Sequence, residues 1–229
     1  MIDNAFILFV VLPLAAYVVG SIPFGVLIAR AHGVDLRKVG SGNVGATNVG
    51  RVLGPKWGYL CFVLDVCKGL APVAVTGALV RQASGFPTLS HQVCWVMVGL
   101  GAICGHVFNF WLGFRGGKGV ATALGVVVGM YPYFTYAGLA ALGVWVAVTL
   151  ISRYVSLGSI VAAAAFVPLF VAINWAWLDK PPLSLWPLGG FAAAMAALII
   201  LRHRGNIGRL LAGTENKIGK HPPGPAATP

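Results

Sequence analysis

An all-α, polytopic integral membrane protein with about seven transmembrane helices, N-terminus outside and C-terminus cytoplasmic, is what the sequence predicts, on three observations. Of 229 residues, 58% are hydrophobic and only 9% charged, and the mean hydropathy of +0.86 lies far from the composition of soluble domains. The apolar residues run in uncharged stretches near the roughly 20 helical residues that cross about 30 Å of hydrocarbon. Lys and Arg gather between alternate stretches, as they do on cytoplasmic loops.

Residues 5–29 form the first span; MIDNAFILF carries no basic leader, so this span is read as retained rather than as a cleaved signal. Spans follow at 57–80 and 92–112. Residues 119–151 are 33 uncharged positions, too many for one crossing. The sequence YPY at 131–133 offers a proline break with interfacial tyrosines, so two spans are expected there, the first of them (119 to about 131) short enough to be partial or re-entrant. Spans at 154–178 and 185–201 complete the set. Thirteen of the sixteen Lys and Arg then face the cytoplasm, Arg81 and Lys180 face outward, and Lys68 lies within span two; a single span at 119–151 would destroy that asymmetry. Residues 1–217 read as one transmembrane domain and 218–229 as a disordered tail.

The net charge of +11 sits at membrane edges, where topology and anionic headgroups or substrates account for it better than nucleic acid does. Cys61, Cys67, Cys94 and Cys104 lie in apolar runs without metal-ligand spacing and read as buried free thiols. Trp175, Trp177 and Trp186 read as an outer aromatic belt.

Three polar segments fall on the cytoplasmic side. The first, 40-GSGNVGATNVGR-51, combines four turn-permitting glycines before Arg51 with the neutral donors Ser41, Asn43, Thr47 and Asn48, a mixture suited to phosphate. The second, 105-GHVFNFWLGFRGGKGVAT-122, is not a Walker A loop, because Leu112 and Gly119 stand where a Gly and a Ser or Thr are needed. It nevertheless sets Lys118 among Gly116, Gly117 and Gly119 at a helix start, where anions are favoured. The third, 203-HRGNIGRLLAGTENK-217, places His203 and Asn206 on one face if the helix continues, with Arg204 and Arg209 in reach of headgroups. Glu215 reads as a structural partner for a nearby cation. Asp65 and Lys68, three apart inside span two, read as a mutually neutralising pair. Ser156 and Ser159 are donors or helix-packing residues.

Together the three segments resemble the signature motifs of the membrane-bound acyl-phosphate glycerol-3-phosphate acyltransferases, the PlsY family of bacterial phospholipid synthesis, and LDVCKG (64–69) and RYVSLGS (153–159) add to the likeness. It runs from about Gly20 to Lys217; Asn109 and Trp111 depart from the pattern and are expected to bear on acyl-chain packing. The resemblance implies acyl transfer from acyl phosphate to the 1-hydroxyl of glycerol 3-phosphate, giving lysophosphatidic acid and phosphate, at the cytoplasmic face of the inner membrane. Its partners would be the two substrates and membrane lipids, with no cofactor, coenzyme A or acyl carrier protein.

Two phosphate-bearing anions repel each other, and Arg51 and Lys118 are suited to holding them together. Ser41 and Asn206 are assigned to the acyl phosphate or the developing oxyanion, and His203 to phosphate binding or proton transfer, a role a substrate phosphate oxygen could equally take. Asn43, Thr47, Asn48, Gly116, Gly117 and Gly119 would shape the glycerol phosphate pocket, with Ser156 contributing. No His is followed five positions later by Asp, so the dyad of acyltransferases that use thioester donors is absent. The alternative reading is a transporter or channel for organic phosphate, with Asp65 and Lys68 on its path.

Overall fold

The computed structural model describes residues 4–84, 88–179 and 182–219, and the regular elements among them are all helical. A π-helical turn, Ile7–Val11, leads into α1 (Leu12–Gly20), followed by α2 (Phe24–Ala31), α3 (Ala46–Leu53), α4 (Pro55–Ser84) and α5 (Leu89–Val107). Then come α6 (Val120–Gly129), α7 (Thr135–Ser152), α8 (Val155–Leu178), α9 (Trp186–Arg202) and α10 (Arg204–Leu211).

Among the described residues, six stretches are long and apolar enough to cross a bilayer: Ile7–Ala31, Pro55–Val80, Leu89–Leu112, Thr135–Ser152, Val155–Leu178 and Leu183–Arg202. The seventh expected span shrinks to the ten residues of α6, about 15 Å of helix or half a bilayer. Packing explains the shortfall. A methyl on Gly69, midway along α4, would strike the Thr122 carbonyl, and one on Gly125 would strike that of Val66, so α6 starts beside the middle of α4 rather than its end. The irregular segment 108–119 links α5 to α6, and Gly116 and Gly117 within it bond back to the end of α5.

Small residues set the other close crossings too. Gly101 and Gly105 of α5, four apart, let that helix lie against the backbone of α1 at Pro13 and Tyr17, the usual device where lipid offers no hydrophobic drive for helix association. The first span breaks at Ser21–Pro23, where Pro23 has no N–H to give. The freed carbonyls are met from neighbouring helices: Lys68 Nζ donates to Ile22 O at 2.8 Å and Asn109 Nδ2 to Ser21 O at 2.5 Å. Asn109 therefore ties backbone together instead of touching an acyl chain, because the break leaves an acceptor within its reach; Trp111 is exposed.

On the other side of the molecule Phe134 stacks among Phe166, Phe170 and Phe191 at centroid distances of 5.2, 5.1 and 5.8 Å, joining α7, α8 and α9. Trp175, Trp177 and Trp186 are all exposed at helix ends. Cys61 and Cys94 are buried, but Cys67 is exposed, because the helical period turns it away from the α4–α6 contact; a thiol facing lipid leaves no polar group unsatisfied there. Lys180 and the tail from Lys220 onward lie outside the described residues, as does the side chain of Arg81. Ile218 is held: its N–H donates to Arg153 O at 2.9 Å and the Arg153 guanidinium donates to Ile218 O at 3.1 Å.

Overpacking a tight backbone crossing costs about 1–3 kcal/mol or more. Gly125→Ala should therefore lower the melting temperature in detergent by several degrees. Gly143→Ala, where nothing lies within 4 Å of the added methyl, should leave it unchanged; thermal unfolding followed by intrinsic fluorescence reads both.

Candidate active site

The first polar segment is organised by one side chain. Asn48, buried on α3, accepts at Oδ1 from the Ser41 N–H (2.8 Å) and from Arg51 Nη1 (3.4 Å), and donates at Nδ2 to Leu36 O (3.3 Å) and Val39 O (3.1 Å). Asn48 was expected to line a ligand pocket; all of its polar capacity goes instead to folding residues 36–41 back over α3. Gly40, at φ +61°, permits that return, and a side chain there would meet Asn48. Asn43 likewise turns inward, its Oδ1 accepting from the Gly45 N–H at 2.9 Å. The hydroxyls of Ser41 and Thr47 are left on exposed residues, and Arg51 is half-buried beside them.

The second segment returns against the end of α5. Gly116 N–H donates to Val107 O (3.0 Å) and Gly117 N–H to His106 O (3.2 Å). On the opposite side, one Arg202 Nη donates to both Gly116 O and Gly117 O at 3.2 Å. A methyl on Gly117 would run into the His106 ring and one on Gly116 into the His106 carbonyl. These two glycines are thus demanded by close packing. Gly119, at φ +87°, starts α6 in a backbone conformation that side-chain-bearing residues rarely adopt.

Lys118, carried by that loop, reaches the third segment. Its Nζ lies 2.5 Å from Asn206 Oδ1; Asn206 Nδ2 donates to Glu215 Oε1 at 2.6 Å, Ser156 Oγ to the same oxygen at 2.9 Å, and Arg209 Nε to Glu215 Oε2 at 2.7 Å. Lys118 can only donate and Glu215 only accept, so the amide orientation of Asn206 is determined. The helix does not run on through His203: α9 ends at Arg202 and α10 begins at Arg204. His203 and Asn206 still share a face through the Asn206 N–H to His203 O bond of 2.8 Å. Both are buried.

Electrostatics separate the roles. Burial pushes Lys118 down to about 8, with Arg209, Arg51 and Arg202 adding repulsion and Glu215 opposing them. Burial likewise pushes His203 down to about 4 against the upward pull of its bond to Ile199 O. Its ring is neutral at pH 7, with Nδ1–H donating to that carbonyl at 2.7 Å and Nε2 left as an acceptor. Burial raises Glu215, but bonds from Asn206, Ser156 and Arg209 outweigh it and hold the carboxyl below its ordinary value.

Of the five residues assigned to chemistry, Lys118, Asn206 and His203 meet at one place, and the charge of Arg51 bears on Lys118 there. Ser41 is joined to Arg51 through Asn48. Besides Asn48, three assignments change. Asn206 and Ser156, expected on substrate, are taken up by Lys118 and Glu215, because Glu215 returns on the loop after α10 and needs donors. Arg209, expected near headgroups, is paired with that carboxylate. Asp65 and Lys68 form an ion pair of 2.7 Å, with His106 Nδ1 3.7 Å from the same Asp65 oxygen. Sequence reasoning missed His106 and Arg202. Neither carried a signal in the sequence: His106 is separated in the chain from the glycine pair it presses on, and basic residues after a last span are ordinary.

Residues 10–213 match the family described as glycerol-3-phosphate acyltransferase. The chain is 48% identical to the glycerol-3-phosphate acyltransferase of Geobacter sulfurreducens, covering 91% of this chain and 96% of that one. It is 46% identical to that of Aquifex aeolicus, covering 89% and 95%. Its fold is similar to a crystal structure of PlsY, an integral membrane glycerol 3-phosphate acyltransferase, in its glycerol 3-phosphate form (TM-score 0.78, 42% identity, 91% and 94% coverage). The likeness extends to the lysophosphatidic acid form (TM-score 0.75, 40% identity, 91% and 94% coverage).

The contact between Gly117 and His106 gives a size-swap test. Gly117→Ala should lower the melting temperature, and adding His106→Ser, which makes room for the methyl, should recover part of the loss; two additive losses would mean that the ring and the glycine do not press on each other.

Proposed function

This chain belongs to the glycerol-3-phosphate acyltransferase family, and from that premise we propose that it moves a fatty acyl group from acyl phosphate to the 1-hydroxyl of glycerol 3-phosphate. The products are lysophosphatidic acid and inorganic phosphate. The observation that carries the reading is the junction of Lys118, Asn206 and His203 under the charge of Arg51, which joins all three polar segments in one cation-rich site. Residues 1–217 act as one domain, with the site at the cytoplasmic face of a bacterial inner membrane, the side to which the basic residues point.

Arg51 and Lys118 hold the two phosphate groups against their mutual repulsion. Acyl phosphate is an activated mixed anhydride, so the reaction needs orientation, a proton acceptor and a stabilised oxyanion. The glycerol hydroxyl attacks the acyl carbon, an ester C–O bond forms, the anhydride C–O bond breaks, and the hydroxyl proton leaves with the phosphate as hydrogen phosphate. His203, near 4, is too weakly basic to keep that proton; its Nε2 accepts from the hydroxyl and aims it. The exposed Ser41 hydroxyl and Arg51 stabilise the developing oxyanion, while Asn206 and Glu215 hold Lys118 in place. Thr47 and the Gly119 amide complete the contacts to glycerol phosphate. Neither coenzyme A nor acyl carrier protein is required, because the phosphate itself is the leaving group.

Transport of organic phosphate would need Asp65 and Lys68 as free charges along a path. They neutralise each other at 2.7 Å, and Lys68 is also committed to the Ile22 carbonyl.

Purified protein given acyl phosphate and glycerol 3-phosphate should release phosphate and form the monoacyl product; phosphate uptake into sealed vesicles with no ester formed would reverse the reading. Ser41→Ala, Arg51→Ala and His203→Ala should each cost about 100-fold or more in kcat/KM, the scale of one lost oxyanion or orienting group, with melting unchanged for Ser41→Ala and the fold retained in all three. The protonated form of Lys118 is the active one, so kcat/KM should fall as pH rises through about 8. Lys118→Arg keeps its charge and should move that alkaline limb upward; a limb that stays put assigns it to another group.

A further inference from the structure

Arg202 is the last residue of α9 and immediately precedes His203. One Nη of its half-buried side chain, with a hydrogen for each, donates to the consecutive carbonyls of Gly116 and Gly117. The N–H groups of the same two glycines are engaged from the opposite side by Val107 O and His106 O, so the dipeptide lies between α9 and α5 with its polar atoms gripped on both flanks. The next residue, Lys118, reaches Asn206, which bonds back through its own N–H to His203 O. The contacts therefore close a ring: Arg202, the glycine pair, Lys118, Asn206, His203, and back to Arg202 along the chain. No carboxylate within salt-bridge distance competes for Arg202 among the described residues.

We propose that Arg202 is a positioning residue for the transfer reaction, registering the glycine loop against the α9–α10 junction so that the Lys118 ammonium and the His203 imidazole are held at a set separation. This rests on the reading of Lys118 and His203 as substrate-handling groups. It adds a connection between the second and third polar segments that passes through the backbone rather than through substrate. A lysine would not replace Arg202, because its ammonium ends one atom short of the Nη position and its freely rotating hydrogens are not fixed in a plane toward the two carbonyls, as those of the guanidinium are. Misplacement of a positioned group by about 1 Å costs about 100-fold in rate, which sets the expected size of the effect.

Two readouts on the full-length protein in detergent test this, one of them independent of catalysis. In the first, limited trypsin digestion followed by mass spectrometry measures cleavage after Arg115 and Lys118. Arg202→Gln should raise the initial rate there about tenfold, as expected when a local segment is released, while cleavage elsewhere and the melting temperature stay as in the parent. In the second, kcat/KM with acyl phosphate and glycerol 3-phosphate should fall about 100-fold for both Arg202→Gln and Arg202→Lys. In a Lys118→Gln background, Arg202→Gln should change it by no more than about twofold, as for a residue acting through Lys118. The proposal is overturned if Arg202→Lys keeps parental kcat/KM, if the full loss persists in the Lys118→Gln background, or if trypsin sensitivity rises everywhere with a lower melting temperature. If Arg202→Gln does not fold, Arg202→Lys carries both readouts. A parent protein without transfer activity would refute the proposed function, and the trypsin readout would still decide whether Arg202 holds the loop.

Discussion

A half-buried lysine ammonium, with no carboxylate bonded to it directly, is the constraint around which this structure is arranged. Lys118 is surrounded by Arg51, Arg202 and Arg209, and its direct partner is the neutral amide of Asn206. A hydrogen bond to a charged group contributes about 1.5–3 kcal/mol, and the carboxylate of Glu215 extends that help from behind the amide. Had Glu215 paired with Lys118 directly, the pair would be neutral and of little use to a phosphate. Interposing Asn206 keeps the lysine excess positive toward the open side while the acid is taken up by Arg209, Ser156 and Asn206.

Bringing Lys118 to that point depends on backbones approaching more closely than side chains allow. The loop that carries it passes between the His106 ring and Arg202, where only glycine fits, and α6 is drawn to the middle of α4 by Gly69 and Gly125. The short helix and the irregular loop are one solution: residues 108–119 fold back on the end of α5 before α6 begins, and a cation with flanking amides is set against the α9–α10 junction. The exposed backbone such a loop would otherwise present to lipid is satisfied from α5 and α9, as the absence of water requires.

The interior polar groups sort by the same logic. Lys68 and Asn109 donate to carbonyls at the break in the first span, and Asp65 balances the charge of Lys68. The groups left with spare capacity are the Ser41 hydroxyl, the Arg51 guanidinium, the Nε2 of His203 and the far side of Lys118. Those are the groups a pair of phosphate-bearing substrates would engage.

Membrane insertion, the all-helical class and the three polar segments were legible in the sequence. Each rests on a local property: the length of an uncharged run, the one-sided placement of Lys and Arg, or the density of glycine and neutral donors. Tertiary structure alone decided which donors keep free capacity and which hold the scaffold. Asn48 and Asn206 look alike in sequence to Ser41 and His203, yet their amides are consumed by Leu36, Val39, Lys118 and Glu215 across 9 to 88 residues of chain. The shortening of α6 and the part played by Arg202 also escaped a linear reading. Both follow from contacts between elements far apart in the chain, and hydropathy records how apolar a segment is, not which backbone it will press against.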